Sequence, residues 1–440
     1  MRERLLSEFE ALERRGAVES PAWLRPLRRA AIAHFAAQGV PTTRDEDWRY
    51  TNLAPLTAMP FRLIGAAAPD GLPERALEGF ALAGSEWPRL VFVDGRYVAR
   101  LSSPRPLPGG GRVASLAEAM ITDGALVERH LARHAGSDAN AFAALSTAFV
   151  QDGAFVHLPP EARGEAPIEL LFVATTPGAL THPRTLIIAG PHSRGTVVER
   201  YVGLTPEAYV TNAVTEVVAA RGAAVDHYVL QEQGAGGVHV ATRHAALERD
   251  STFASCDAIL GGRLARTTLT LEFAGEGARG ALSGLYVVRG RQHVDNHVTV
   301  DHAVPRCSSQ QLYKGVLDGH ARAVFNGRIV VRRDAQKTDA NQTNKHLLLS
   351  DGVEVDSKPR LEIFADDVRC THGAAEGQLA PEALFYLRTR GLGEDTARAL
   401  LTYGFAREVL ERIALQPVQA YLDRALLARL GTGRAPEETP

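Results

Sequence analysis

Arg194-Gly195-Thr196-Val197-Val198-Glu199-Arg200-Tyr201-Val202 is the first of four similar stretches. The others open at Arg221-Gly222, Arg249-Asp250 and Arg279-Gly280, and run into Ala-Ala-Val-Asp-His-Tyr-Val (223–229), Ser-Thr-Phe-Ala-Ser-Cys (251–256) and Ala-Leu-Ser-Gly-Leu-Tyr-Val (281–287). Each pairs a turn with a strand of period two, and the starts lie 27, 28 and 30 residues apart. Almost no helical signal intervenes. A sandwich or jelly roll also supplies many short strands but has no reason to repeat at one interval, whereas a stacked solenoid does. The spacing therefore predicts a mainly β protein with a β-helix core at 151–379.

Outward from that core the periodicity changes to helical. Residues 1 to about 60 read as helices, beginning with the stripe Leu5, Leu6, Phe9 and Leu12, and the rest of 1–150 as a mixed region. Leu400, Leu401, Phe405, Val409, Leu410 and Ile413, then Val418, Leu422, Leu426, Leu427 and Leu430, predict a helical domain at 380–440 with a frayed tail from Gly431. A solenoid needs its open ends covered, and helical material is available on both sides.

At 440 residues and 45% apolar, the chain can bury a large core in two or three domains. A formal charge of −2, from 49 basic and 51 acidic residues, gives no global attraction to nucleic acid or anionic lipid. No run approaches the roughly 18 apolar residues of a membrane helix, and Met1-Arg2-Glu3-Arg4 opens without a secretory apolar core. The expectation is a cytoplasmic protein that binds neither nucleic acid nor membrane.

Cys256, Cys307 and Cys370 are far apart and form no C-x-x-C pair, so a disulfide framework or self-contained zinc or cluster site is excluded. An iron–sulfur cluster would need ligands from a second chain. Cys370 and His372 stand two residues apart at the end of a strand-like run, where i and i+2 share a face and could reach one soft metal. His293, Asp295 and His297 share a face in the same way; they read either as a two-histidine, one-carboxylate metal site or as the wet side of a solenoid strand. Gly275, Gly277 and Gly280 match a dinucleotide fingerprint, but a strand follows where a helix is required, so they read as a loop. The run Gln336 to His346 reads as hydrogen-bonding between stacked coils. No Gly-Lys dipeptide occurs, so there is no P-loop. The four lysines, Lys314, Lys337, Lys345 and Lys358, fall within one short segment of a chain with 45 arginines, which suggests a local need for a compact ammonium.

Residues 366–390, Asp-Asp-Val-Arg-Cys-Thr-His-Gly-Ala-Ala-Glu-Gly-Gln-Leu-Ala-Pro-Glu-Ala-Leu-Phe-Tyr-Leu-Arg-Thr-Arg, resemble the C-terminal signature of the SufD branch of the SufB/SufD superfamily, scaffold subunits of SUF iron–sulfur cluster assembly. The segment Arg44 to Thr51 is similar to an N-terminal element of these chains, and His302, Pro305, Cys307, Ser309, Gln311, Lys314 and Gly315, with Asp339, Gln342 and Asn344, match a stretch shared by both branches. The SufB branch carries a cysteine where Leu387 stands here. The resemblance implies a right-handed parallel β-helix between helical domains, a non-catalytic scaffold, pairing with a SufB-type paralogue through the β-helix, and docking of a SufC-type ATPase on the C-terminal helices. It implies further that His372, with a cysteine of SufB, lies where a transient cluster forms, with Cys370 the second candidate iron ligand. It leaves open a homodimer of the isolated chain and a role for reduced flavin. The rival from another class is a metal-dependent enzyme using His293, Asp295 and His297.

Overall fold

The computed structural model describes residues 1–16, 20–64, 71–82, 86–164 and 166–431; the tail read as frayed lies outside them from 432 onward. Among the described residues, sixteen strands alternate between the two sheets of the solenoid, which the short strands Arg62–Leu63, Arg89–Val93, Arg96–Tyr97, Arg112–Ser115 and Ala179–Thr181 extend. Sheet A holds β1 (Gly153–Leu158), β3 (Arg184–Ala189), β5 (Tyr209–Ala219), β7 (Gly237–Leu247), β9 (Leu264–Phe273), β11 (His293–His302), β13 (Arg322–Val331) and β15 (Glu354–Ile363). Sheet B holds β2 (Ile168–Ala174), β4 (Arg194–Gly203), β6 (Ala224–Glu232), β8 (Thr252–Ile259), β10 (Arg279–Val288), β12 (Ser308–Leu317), β14 (Asp339–Leu348) and β16 (Arg369–Gly377). Each strand pairs in parallel with the strand two further along, as in β11 with β13 and β14 with β16. The chain is thus a two-sheet parallel β-solenoid, each coil adding one strand to each sheet.

The repeating turn has a physical cause at the corner between A and B. One residue per coil takes a left-handed conformation there: Glu161, His192, Gly222, Asp250, Gly277, Arg306 and Lys337, with φ between 57° and 77°. Apart from Gly277, the amide of each donates to the next coil's corner, as His192 to the Arg221 carbonyl, Gly222 to Arg249 and Lys337 to Asp367. For residues other than glycine this conformation costs about 1 kcal/mol, and the coil-to-coil hydrogen bond offsets it. Gly277 is such a corner and Gly280 is the second residue of β10, so the glycine triplet is a turn leading into a strand.

Inward side chains close the core between the sheets. Phe92, on the strand Arg89–Val93 paired with β2, stacks on Phe172 of β2 and Phe172 on Tyr201 of β4, with ring centroids 4.9 Å apart, an offset geometry that aromatic quadrupoles favour. The outer faces are covered by helices. Helices α1 (Arg2–Gly16), α2 (Leu24–Gln38) and α3 (Ala141–Ala148) lay Phe9, Phe35 and Phe142 against Val210, Val238 and Val240 of sheet A. Asn140 caps α3, accepting from the Phe142 and Ala143 amides while donating to Thr242 on β7, so one residue both ends the loop and pins the helix. After β16 come α4 (Pro381–Thr389), α5 (Glu394–Leu410) and α6 (Gln416–Arg429). Val409, Leu410, Ile413, Leu422 and Leu426 pack on Tyr228, Leu230, Cys256, Leu285 and Leu312 of sheet B.

At the C-terminal end the structure departs from the expectation of a covered coil. The helices fold back along the flanks, and the last coil is left open, with β15 half-buried and β16 almost wholly exposed. Among the described residues no helix is long and apolar enough to cross a membrane.

Candidate site at the open end of the solenoid

Cys370 and His372 lie on β16, in register with Ala340 and Gln342 of β14. Ala340, Gln342, Asn344 and His346 are the buried, inward set of β14, so Cys370 and His372 face the solenoid interior at its mouth. The two share a face but not an environment. Cys370 packs beside Ile329, Val331, Ala340 and Ala365; burial, and secondarily Asp339, pushes its thiol pKa up, away from the thiolate that metal binding requires. His372 is exposed on the terminal strand.

The backbone of that strand is equally informative. Arg369 donates to the Thr338 carbonyl, so in the alternation of a parallel pair the odd residues of β16 bond to β14 while Cys370, His372, Ala374 and Glu376 aim their amides and carbonyls at the open edge. On β15 the Glu354 amide bonds to Ala321, which turns the odd residues outward. Pro359 is among them, and its missing N–H falls on the free edge, where it breaks no ladder bond. A proline inside this strand is the sequence signal for an edge.

The other candidates resolve differently. His293, Asp295 and His297 do share the outer face of β11, but Asp295 is ion-paired with Arg266 and accepts from the Thr51 hydroxyl, while His297 Nε2 lies 3.0 Å from Asp295 Oδ1. Arg266 lies over the Trp48 ring at 3.8 Å and donates to the Asp47 carbonyl. The carboxylate is therefore taken up in anchoring the Arg44 to Thr51 segment. Among the described residues no group of three His, Cys, Asp or Glu side chains is placed to hold a metal. Burial favours protonation of Asp295, yet Arg266 and then His297 and Thr51 outweigh it and bring its pKa down to about 2. A carboxylate depressed from 3.8 in this way stabilises the fold above about pH 4 and loses that contribution as pH falls toward 2. The protection factors of the Trp48 and Thr51 amides are expected to fall across that window, and Asp295→Asn should abolish the step.

The lysines also find structural partners. Lys314, 3% exposed, donates to the Phe405 carbonyl at 2.8 Å, pairs with Glu408 and sits 4.3 Å from the Phe405 ring centroid. It clamps α5 to β12, and its hydrogen bond holds the Glu408 carboxyl below the usual range. A compact ammonium fits this enclosed three-way contact; a guanidinium is too large. Lys314→Met is expected to lower stability by about 2 kcal/mol, read from the urea midpoint. Lys358 pairs, with Arg360, to Glu46 of the N-terminal segment. Lys337 is a corner residue paired with Asp367, and nothing in the structure favours lysine over arginine there. Cys256 and Cys307 are buried, and burial pushes the Cys256 thiol up to about 12. The polar run forms coil-to-coil bonds as expected: Asn341 donates to Thr371 at 2.7 Å, Asn344 to the Tyr313 carbonyl at 3.5 Å, and Gln336 accepts from the Asp367 amide at 2.9 Å.

Two features had no sequence reading. Phe385 and Tyr386 on α4 are 70% and 57% exposed, and Phe364, at the corner before β16, is 63% exposed. Large apolar rings left exposed are candidates for interaction surfaces.

These features define the protein as a two-sheet parallel β-solenoid with flanking helices, open at one end and with an exposed histidine on its last strand. Residues 172–405 match the family model for the SufBD core domain of SUF system FeS cluster assembly, and residues 2–170 that for the SufBD N-terminal region. The chain belongs to the SufBD family. It is similar to the iron–sulfur cluster assembly protein SufD of Escherichia coli, 32% identical with 92% of each chain covered. A SufBD-family cluster assembly protein of Synechocystis is also 32% identical, over 91% of this chain and 90% of its own. The SufD of Bacillus subtilis is 27% identical over 92% and 93%. The family's work is iron–sulfur cluster assembly.

Proposed function

We propose that this chain is a non-catalytic scaffold subunit that pairs with a SufB-type paralogue through the open edges of β15 and β16, carries a SufC-type ATPase on its C-terminal helices, and presents His372 to the iron of a nascent cluster. The observation that carries the reading is the coincidence of two properties at one strand: an exposed imidazole and an unpaired backbone edge. A partner strand added to that edge would bring its own side chains beside His372. A neutral imidazole binds iron yet is less tenacious than thiolate, which suits a scaffold that must release its product. Cys370, with its thiol pKa raised, acts in this reading as an auxiliary ligand. The interface lets rigid-body motion of the two chains, driven by the ATPase, open and close the site.

The ATPase contact is assigned to the face of α4 that shows Phe385 and Tyr386. Removing all of 381–440 is too blunt a test, because five large side chains of α5, α6 and their connection would leave sheet B, a loss on the order of 10 kcal/mol. The double substitution Phe385→Ala and Tyr386→Ala touches no buried residue of α4. It is expected to weaken ATPase binding by at least about tenfold, as buried aromatic anchors do, with pairing to the SufB-type chain unchanged in co-purification. Unaltered ATPase binding would move the contact elsewhere.

A further inference from the structure

The interior of the last coils contains polar groups that the protein does not satisfy. Gln311 and Gln342, each 1% exposed, have neither amide atom hydrogen-bonded, and the same holds for Asn296. His346 keeps its Nδ1 without a partner while its Nε2 meets the Tyr286 hydroxyl at 2.6 Å. Gln311, Gln342 and His372 are stacked in register on β12, β14 and β16, and Asn296 faces the same interior from β11, between the core residues Val294 and Val298.

Earlier coils satisfy their interior amides, although single atoms there, such as Thr185 Oγ1 and His239 Nδ1, also lack a partner. There Gln231 donates to Gln233, Gln233 to Thr211, and the Gly261 amide to Gln231. Glu199 accepts from Tyr201 and Thr215, and Arg243 is paired with Asp257. Buried amides in a solenoid can also satisfy one another by stacking into a ladder. Gln342 is turned away from that arrangement. Its amide occupies the space opened by Gly327 on the facing sheet, where a Cβ would come within 2.2 Å of Nε2. Two neighbouring glutamines with all four amide atoms unpaired are not tolerated in a dry core.

We propose that the last coils bind a file of water molecules, held by Asn296, Gln311 and Gln342 and reaching His372 from inside the solenoid. Water is the ligand whose chemistry fits: each amide offers a donor and an acceptor, no formal charge faces the file from these positions, and a buried water takes two to four such partners. If a partner strand closes the outer edge, as in the reading proposed above, the file keeps His372 hydrated from within. The hydration itself does not depend on that reading.

The test is a crystal structure of the full chain at a resolution that shows single waters. Ordered density within hydrogen-bonding distance of both atoms of the Gln311 and Gln342 amides, continuing toward His372, is expected. Direct bonding of the two amides with no density between them would overturn the proposal. The Gln311→Leu, Gln342→Leu double variant gives a second measurement in solution. Because it removes groups that water satisfies, its melting temperature should not exceed the wild-type value, whereas a rise of several degrees would mean that the amides were dry and would reject the file. The wild-type structure decides the matter even if the variant fails to fold. Neither measurement involves cluster assembly, so its failure and that of the scaffold reading are separable.

Discussion

His372→Ala should abolish cluster assembly in the reconstituted complex while leaving the complex itself intact. The imidazole is exposed and lies on the last strand, so its removal opens no cavity and is expected to change folding stability by less than about 0.5 kcal/mol. Its backbone, which faces the open edge, is untouched, and pairing with a SufB-type partner should persist. The assembly rate should fall at least tenfold, since even groups behind a metal ligand are worth 10- to 100-fold. Cys370→Ser should have a smaller effect, because a half-buried thiol with a raised pKa contributes little as a ligand. Wild-type assembly and transfer by a properly formed His372→Ala complex would remove His372 from the site. An equal loss in both variants would make the pair joint ligands.

The second large effect is expected from Ala374→Pro. Ala374 directs its amide at the open edge, so proline removes a donor that is unpaired in the isolated chain but needed by an incoming strand, and its ring blocks close approach. Losing one or two edge hydrogen bonds together with local packing amounts to about 2–3 kcal/mol, which corresponds to pairing weakened on the order of a hundredfold. Ala375→Pro is the informative control: residue 375 bonds inward to β14, so this variant should instead destabilise the last coil. A folded Ala374→Pro protein that pairs normally would show that the partner sits on another surface.

The repeat was legible because a solenoid is built from local periodicity. Strand alternation assigns inward and outward residues, and Arg221-Gly222 and Arg249-Asp250 mark corners at Gly222 and Asp250. The dipeptides at Arg194 and Arg279 lie just past their corners, at His192 and Gly277, because the turn requires a left-handed backbone more than a particular dipeptide. The shared face of Cys370 and His372 was legible for the same reason. Their unequal burial was not, since it depends on Ala365 and Ile329 coming from other strands and turns.

By itself, then, the sequence determined the parallel solenoid, its flanking helices and the strand that carries His372, all of which follow from spacing over a few tens of residues. The tertiary structure decided what those elements do to one another. Lys314 became a clamp on Phe405 and Glu408, Asp295 was claimed by Arg266 and Thr51, and Lys358 was drawn to Glu46. It also decided that the helices run along the flanks and leave the last coil open. The reason is physical: periodicity specifies which face of a strand seeks cover, but not which distant segment supplies it. That choice is made by packing between residues far apart in the chain, and it determines which edge remains free for a partner.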